Sequence, residues 1–218
     1  MGTKRRAVLG SVLLAGGAAL VGGATAGCGA AASAPQRPPA SPSASSRRVL
    51  LAYFSRAGEN YWYGGRRTLE VGNTQVVAEM IAAMVHADVY RIEAADPYPG
   101  SYDATVERNV AEQRADARPA VAGALPETAG YDVVLLGSGI WNVRPPMIMS
   151  TFAERVGLAG TTVYPFVTYA VSGLGSTIEE YRRLCPDATV GSGLAVRGEE
   201  VAGARSQVET WLREIGLR

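Results

Sequence analysis

From residue 48 onward, apolar and polar positions follow two alternating rhythms. The run Val-Leu-Leu-Ala-Tyr-Phe over 49–54 is continuously apolar and of strand length, as a strand buried on both faces requires. Helical spacing follows over 73–85, with Val76, Val77, Met80, Ile81 and Met84 on one face. The pattern then predicts a strand over 88–93, a polar helix over 102–114 and a strong strand over 131–137. Next come a helix over 147–156 with Pro146 suited to its first turn, a strand over 161–168 and a helix over 176–184. A strand over 188–196 and a helix over 201–215 close the chain. Five strands alternating with helices imply right-handed crossovers and a parallel sheet covered on both faces, an α/β architecture. Ligands of such sheets bind at the carboxyl ends of the strands, near the switch in strand order. The loops after the first, third and fourth strands are therefore the ones to read for chemistry.

The first loop begins Ser55-Arg56-Ala57-Gly58 and ends Gly72-Asn73-Thr74 at a helix start. Hydroxyls, small residues and free helix N–H groups suit a phosphate, and the helix dipole adds to them. Asn73 or Thr74 serving only as an N-cap would read the same way. The second loop holds Gly137-Ser138-Gly139-Ile140-Trp141-Asn142 and continues through Val143 and Arg144 to two prolines. Gly137 and Gly139 allow close backbone approach to a ligand. Trp141 offers a stacking ring or, alternatively, a cap over the sheet edge. The third glycine of a dinucleotide fingerprint would fall at Asn142, so that motif is set aside. The third loop, Thr168-Tyr169-Ala170-Val171-Ser172-Gly173-Leu174-Gly175, supplies hydroxyls, an aromatic ring and bare backbone, although its glycines could simply shape a turn.

Composition narrows the function. With 47% hydrophobic and 19% charged residues, 218 residues can bury a core. A formal charge of +1 gives no electrostatic case for nucleic acid. Two cysteines and one histidine are too few for a Cys/His metal site, and one bridge cannot carry a disulfide scaffold of this length. His86 lies at a helix end away from the three loops, so no catalytic residue is assigned. Cys185, between Leu184 and Pro186, reads as an ordinary buried thiol.

The first segment is an address. Lys4, Arg5 and Arg6 precede an uncharged Gly- and Ala-rich stretch that ends Thr25-Ala26-Gly27-Cys28. A basic start, an apolar middle and small residues at the end describe a secretory signal. The last four residues resemble a bacterial lipobox, which places a lipid on Cys28 and the protein on the extracytoplasmic face of the membrane. Non-lipidated secretion and an uncleaved anchor are the alternatives. Residues 28–47 are rich in Ala, Ser and Pro and read as a tether. Residues 1–27 are thus an export signal, and 48–218 the folded domain.

Residues 49–215 resemble the flavodoxin-like family, in its bacterial lipoprotein form. The resemblance rests on Tyr53-Phe54-Ser55-Arg56-Ala57-Gly58 with Gly72-Asn73-Thr74, on the second loop with Trp141, and on the third loop ending Ser172-Gly173-Leu174-Gly175. Ala95-Asp96-Pro97-Tyr98-Pro99 and Tyr102-Asp103-Ala104-Thr105-Val106 add to it. It implies a five-stranded parallel sheet of order 2-1-3-4-5 with helices on both faces, and non-covalent FMN. By position, Ser55, Ala57, Asn73 and Thr74 would bind the phosphate, with Arg56 and Gly58 in the same loop. Trp141 would lie against the isoalloxazine, with the peptides of Ser138, Gly139, Ile140 and Asn142 at its edge. Thr168, Ser172 and Gly173 would contact the pyrimidine side, with Tyr169 and Gly175 in the same loop.

Two departures from the family pattern stand out. Residues 59–71 interrupt a phosphate loop that is normally continuous. They predict either a flap, with Tyr61, Trp62 or Tyr63 near the ring and Arg66 or Arg67 near the phosphate, or a surface hairpin turning at Gly64-Gly65. Ser138-Gly139 and Asn142-Val143-Arg144 also replace commoner residues, implying one stacking ring fewer. Three functions follow as expectations: a membrane-tethered electron carrier serving a redox partner, an FMN-dependent NAD(P)H oxidoreductase with a quinone-type acceptor, or a flavin-free binding lipoprotein.

Overall fold

The computed structural model describes residues 47–218. The export signal, Cys28 and all but the last residue of the tether lie outside the described residues. Among those described, no helix is long and apolar enough to cross a membrane.

Strand β1 (Val49–Phe54) lies between β4 (Asp88–Ile92) and β5 (Val133–Gly139), and β6 (Thr162–Tyr169) pairs beyond β5. Every pairing in this sheet is parallel. The outer position is shared by two short strands, β7 (Thr189–Val190) and β8 (Leu194–Arg197), both on β6. The order is the one expected, 2-1-3-4-5, with its last strand split. The split has a cause on the neighbouring strand. The Val163 carbonyl accepts from the Gly191 N–H, so Pro165, two residues on, turns its side of the backbone to the same edge. Proline has no N–H to donate there, and the edge strand breaks opposite it.

Alternation along β1 sends Val49, Leu51 and Tyr53 to one face and Leu50, Ala52 and Phe54 to the other. The first face packs on α1 (Asn73–Ala82) and α5 (Arg205–Glu214) through Val77, Ile81, Val208, Trp211 and Leu212. The second packs on α3 (Met147–Arg155) and α4 (Thr177–Leu184) through Ile148, Met149, Phe152 and Tyr181. Each such side chain contributes about 1.5–3 kcal/mol by leaving water. Cys185 belongs to the second face, where burial pushes its thiol up to about 11.

The closing segment begins differently from its prediction. A 3-10 helix, Gly198–Gly203, precedes α5, so the chain enters that helix through a tighter turn.

The stretch over 59–71 is a separate two-stranded hairpin, β2 (Gly58–Trp62) against β3 (Gly65–Leu69). It turns at Tyr63-Gly64, one residue earlier than the glycine doublet predicts. Both turn residues have positive φ, 44° and 88°, and Trp62 pairs with Gly65. Such a primed turn matches strand twist, and Gly64 takes the second strained position.

Candidate functional site

One cavity of about 310 Å³ opens at the carboxyl edge of the sheet, around β1, β5 and β6. This is the lower end of the size range of ligand pockets, about 300–1,000 Å³. Ten residues singled out in the sequence line it: Ser55, Arg56, Asn73, Thr74, Gly139 and Ile140, and also Trp141, Asn142, Thr168 and Tyr169.

The start of α1 forms its floor. Gly72 is the N-cap residue and supplies no side chain, so the Ser55 hydroxyl does the capping and accepts from the Gln75 N–H at 3.0 Å. Having accepted, that hydroxyl keeps its own proton free to donate. The N–H groups of Asn73 and Thr74, in the first turn, have no intrahelical acceptor. A Cβ on Gly72 would sit 2.4 Å from Ser55 Oγ and 2.5 Å from the Arg56 carbonyl, so only glycine lets the loop fold this tightly. Thr74 Oγ1 and Thr168 Oγ1 share a buried hydrogen bond of 2.8 Å, which ties α1 to the end of β6.

On the opposite side stands α2 (Tyr102–Arg114). Its polar composition predicts a solvent-facing helix, yet Tyr102, Thr105, Val106, Asn109 and Val110 form a wall of the cavity. These positions were not identified from the sequence; their i, i+3, i+4, i+7 spacing was the available signal. Phe54, Asn60, Tyr61, Ala170, Gly198 and Glu199 also line the cavity and were likewise missed as binding candidates, except that Tyr61 was named with the flap.

The hairpin turns on the surface, as one of the two expectations had it, and Asn60 and Tyr61 bring it against the cavity. Glu59 accepts from the Tyr102 N–H at 2.9 Å, a second cap on α2 beside that of Ser101, which accepts from the Ala104 N–H. Arg66 lies over the Tyr102 ring at 3.6 Å and pairs with Asp103 at 3.3 Å. At the other end, the Tyr63 N–H donates to Glu199 Oε1 at 3.0 Å, and the Glu199 side chain is only 1% exposed. Trp62 and Tyr63 do not line the cavity; they contact each other edge to face at 5.6 Å. Arg66 and Arg67 point away from the α1 start, Arg67 lying over Trp62. Arg56 lines the cavity, but its guanidinium is spent on the carbonyls of Pro99, Gly100 and Glu59. Burial lowers its pKa, partly offset by Glu59.

Six of the singled-out residues stand off the cavity. Ala57 and Gly58 carry the chain into the hairpin, with Gly58 at φ 86° against the Gly100 carbonyl. Ser138 is fully buried and, by strand alternation, faces the α4 side near Tyr181, where burial raises the tyrosine pKa. Gly175 makes room for the Val143 carbonyl, which would lie 2.1 Å from a Cβ there. Ser172 and Gly173 remain in the outer part of the same loop. Gly137, read as a ligand approach, serves the core instead, since a Cβ there would be 2.0 Å from the Phe166 ring.

Trp141 packs edge to face on Phe54 at 5.6 Å and on Tyr98 at 5.0 Å, so it caps the sheet edge and lines the cavity at once. Its turn is tight: Asn142 and Val143 have φ of 51° and 62°, and Trp141 and Arg144 exchange backbone hydrogen bonds. For a β-branched residue that conformation is strained.

A family model described as flavodoxin matches residues 68–215. The chain belongs to the flavodoxin family. Two solved structures fit this flavodoxin over most of their length. A candidate flavoprotein of Bacteroides eggerthii is 28% identical, covering 78% of this chain and 99% of its own, with a TM-score of 0.62. One of Bacteroides uniformis is 27% identical, covering 77% and 98%, with a TM-score of 0.61. A Lactobacillus acidophilus flavoprotein, solved in complex with FMN, is 15% identical over 76% and 98% and shares the fold at a TM-score of 0.56. No curated protein matches the chain. FMN is the cofactor of the flavodoxin family, and the donor set of this cavity fits it. Helix N–H groups and a free hydroxyl proton lie at one end and aromatic and apolar walls at the other.

Proposed function

We propose that this flavodoxin is an FMN-dependent electron-transfer protein held at the extracytoplasmic face of the membrane by a lipid on Cys28. The observation that carries the redox reading is the convergence of three loops and the α1 N-terminus on one cavity at the carboxyl edge of the sheet. The tether and lipid rest on the sequence from Lys4 to Cys28.

In this reading Ser55, the α1 N–H groups and Asn73 hold the phosphate. No lysine is available, because Lys4 is the only one in the chain. The Thr74–Thr168 pair fixes the spacing between the phosphate end and the ring end. Trp141, held by Phe54 and Tyr98, gives the ring a rigid apolar neighbour, and the peptides of Gly139, Ile140 and Asn142 face its edge. The flavin supplies the electron chemistry. The protein binds it, orients it and, through the hairpin, limits water.

A second reading is favoured by one feature. The hairpin and α2 enclose the cavity on the solvent side, which suits a reductase pocket as well as a carrier. Stopped-flow reduction separates them. Bleaching of the bound flavin by NADH or NADPH within seconds marks the oxidoreductase, and reduction only by a protein donor marks the carrier. Mass spectrometry of the membrane-extracted N-terminal peptide tests the lipid. An unmodified Cys28, or a retained signal, overturns the anchor.

A further inference from the structure

The α2 wall carries one polar group whose orientation is fixed by a chain of amides. Gln113 Nε2 donates to the Trp141 carbonyl at 2.9 Å. A carbonyl can only accept, so this contact settles which end of the Gln113 amide is nitrogen. The same nitrogen donates to Asn109 Oδ1 at 3.3 Å, and Gln113 Oε1 accepts from Asn142 Nδ2 at 2.9 Å. Asn109 therefore turns its oxygen to Gln113 and leaves Nδ2 on the other side. Asn109 is 3% exposed and lines the cavity. Among the described residues, the bond from Gln113 is the one hydrogen bond its side chain makes. Nδ2 is not sealed off from the open space of the cavity, so a donor of fixed orientation faces that space, placed to meet a ligand acceptor.

The surroundings say which part of the ligand. Val106, about one turn before Asn109, and its neighbour Val110 line the same wall. An apolar frame around one neutral donor suits the edge of a planar ring and disfavours a dianionic phosphate. The relay also ends on the peptide of Trp141, itself an aromatic wall of the cavity.

We propose that Asn109 donates from Nδ2 to an acceptor atom on the edge of the bound isoalloxazine, and that Gln113 is the positioning residue that holds it so. The inference rests on the FMN reading above. The ring's carbonyl oxygens gain electron density on reduction, so a fixed donor to one of them binds reduced FMN better than oxidised FMN and raises the midpoint potential.

The test measures the two-electron midpoint and the affinity for oxidised FMN in the whole protein and three variants. Asn109→Asp keeps the shape and the oxygen facing Gln113 but replaces the donor by a negative acceptor. Asn109→Leu removes the polar group, and Gln113→Leu frees Asn109 to rotate. Reduced FMN should bind roughly tenfold more weakly to Asn109→Leu, relative to oxidised FMN. That ratio lowers the midpoint by about 30 mV. Asn109→Asp should fall further, and Gln113→Leu part of the way. A midpoint unchanged in Asn109→Asp and Asn109→Leu, with FMN still bound, overturns the inference. If the wild-type protein binds no FMN, it is the underlying reading that fails.

Discussion

The two walls of the cavity are built differently. The sheet-side wall is backbone: loops leaving β1, β5 and β6, spaced by parallel ladders and pinned by the Thr74–Thr168 bond. The solvent-side wall is side chains: Glu59 on the α2 N-terminus, Arg66 on Tyr102, Glu199 on the hairpin tip, and the Gln113 relay. Ladder bonds break only with the fold, whereas a wall held by a few side-chain contacts opens locally at much lower cost. The backbone wall is thus suited to hold the cofactor, and the side-chain wall to admit it and tune it.

The largest effect should come from damaging the backbone wall. Gly72→Val drives a side chain into Ser55 and the Arg56 carbonyl. Overpacking of this kind costs about 1–3 kcal/mol, so FMN affinity in a fluorescence titration should fall roughly tenfold to a hundredfold with helix content preserved. On the other wall, Glu59→Ala removes one of the two side-chain caps of α2, leaving that of Ser101, and releases the hairpin base. A lost cap costs about 1 kcal/mol, visible as a lower urea midpoint. Hydrogen exchange in β2 and β3 should speed up while exchange in β1 and β5 stays slow. If all four strands change together, the walls are not independent.

Smaller effects sharpen the contrast. Val143→Gly removes the strain at φ 62°, worth about 1–2 kcal/mol for an L-residue, against roughly 0.5–1 kcal/mol of added chain entropy. A thermal midpoint slightly above wild type is expected. Arg66→Ala breaks a pair whose Asp103 partner is largely exposed and should cost less than about 1 kcal/mol, with the difference shrinking in high salt.

The same contrast explains what could be read from the chain. Buried strands such as β1 announce themselves, because both faces must be apolar, and α2 begins and ends where its polar pattern and flanking turns place it. The three loops follow from the strand order, so the backbone wall was visible in one dimension. The side-chain wall was not. The residues of α2 that line the cavity look like any solvent-facing helix, since the space they face is wet until a ligand fills it. Glu199 follows the last strand, outside the loops that the strand order points to, and meets the hairpin only across 136 residues of sequence. The break between β7 and β8 has its cause in Pro165 on another strand. The hairpin turn misled because Gly64-Gly65 looks like the tightest point, while Tyr63 takes the first positive φ instead. Gly137 was credited to a ligand when its space belongs to Phe166.

The most direct test is an FMN titration of the purified protein, wild type beside Gly72→Val, followed by quenching of FMN fluorescence. The wild type should quench saturably at one FMN per chain, and Gly72→Val should need far more FMN for the same quench. A folded wild-type protein that leaves FMN fluorescence unchanged would contradict the cofactor site, and with it both redox readings.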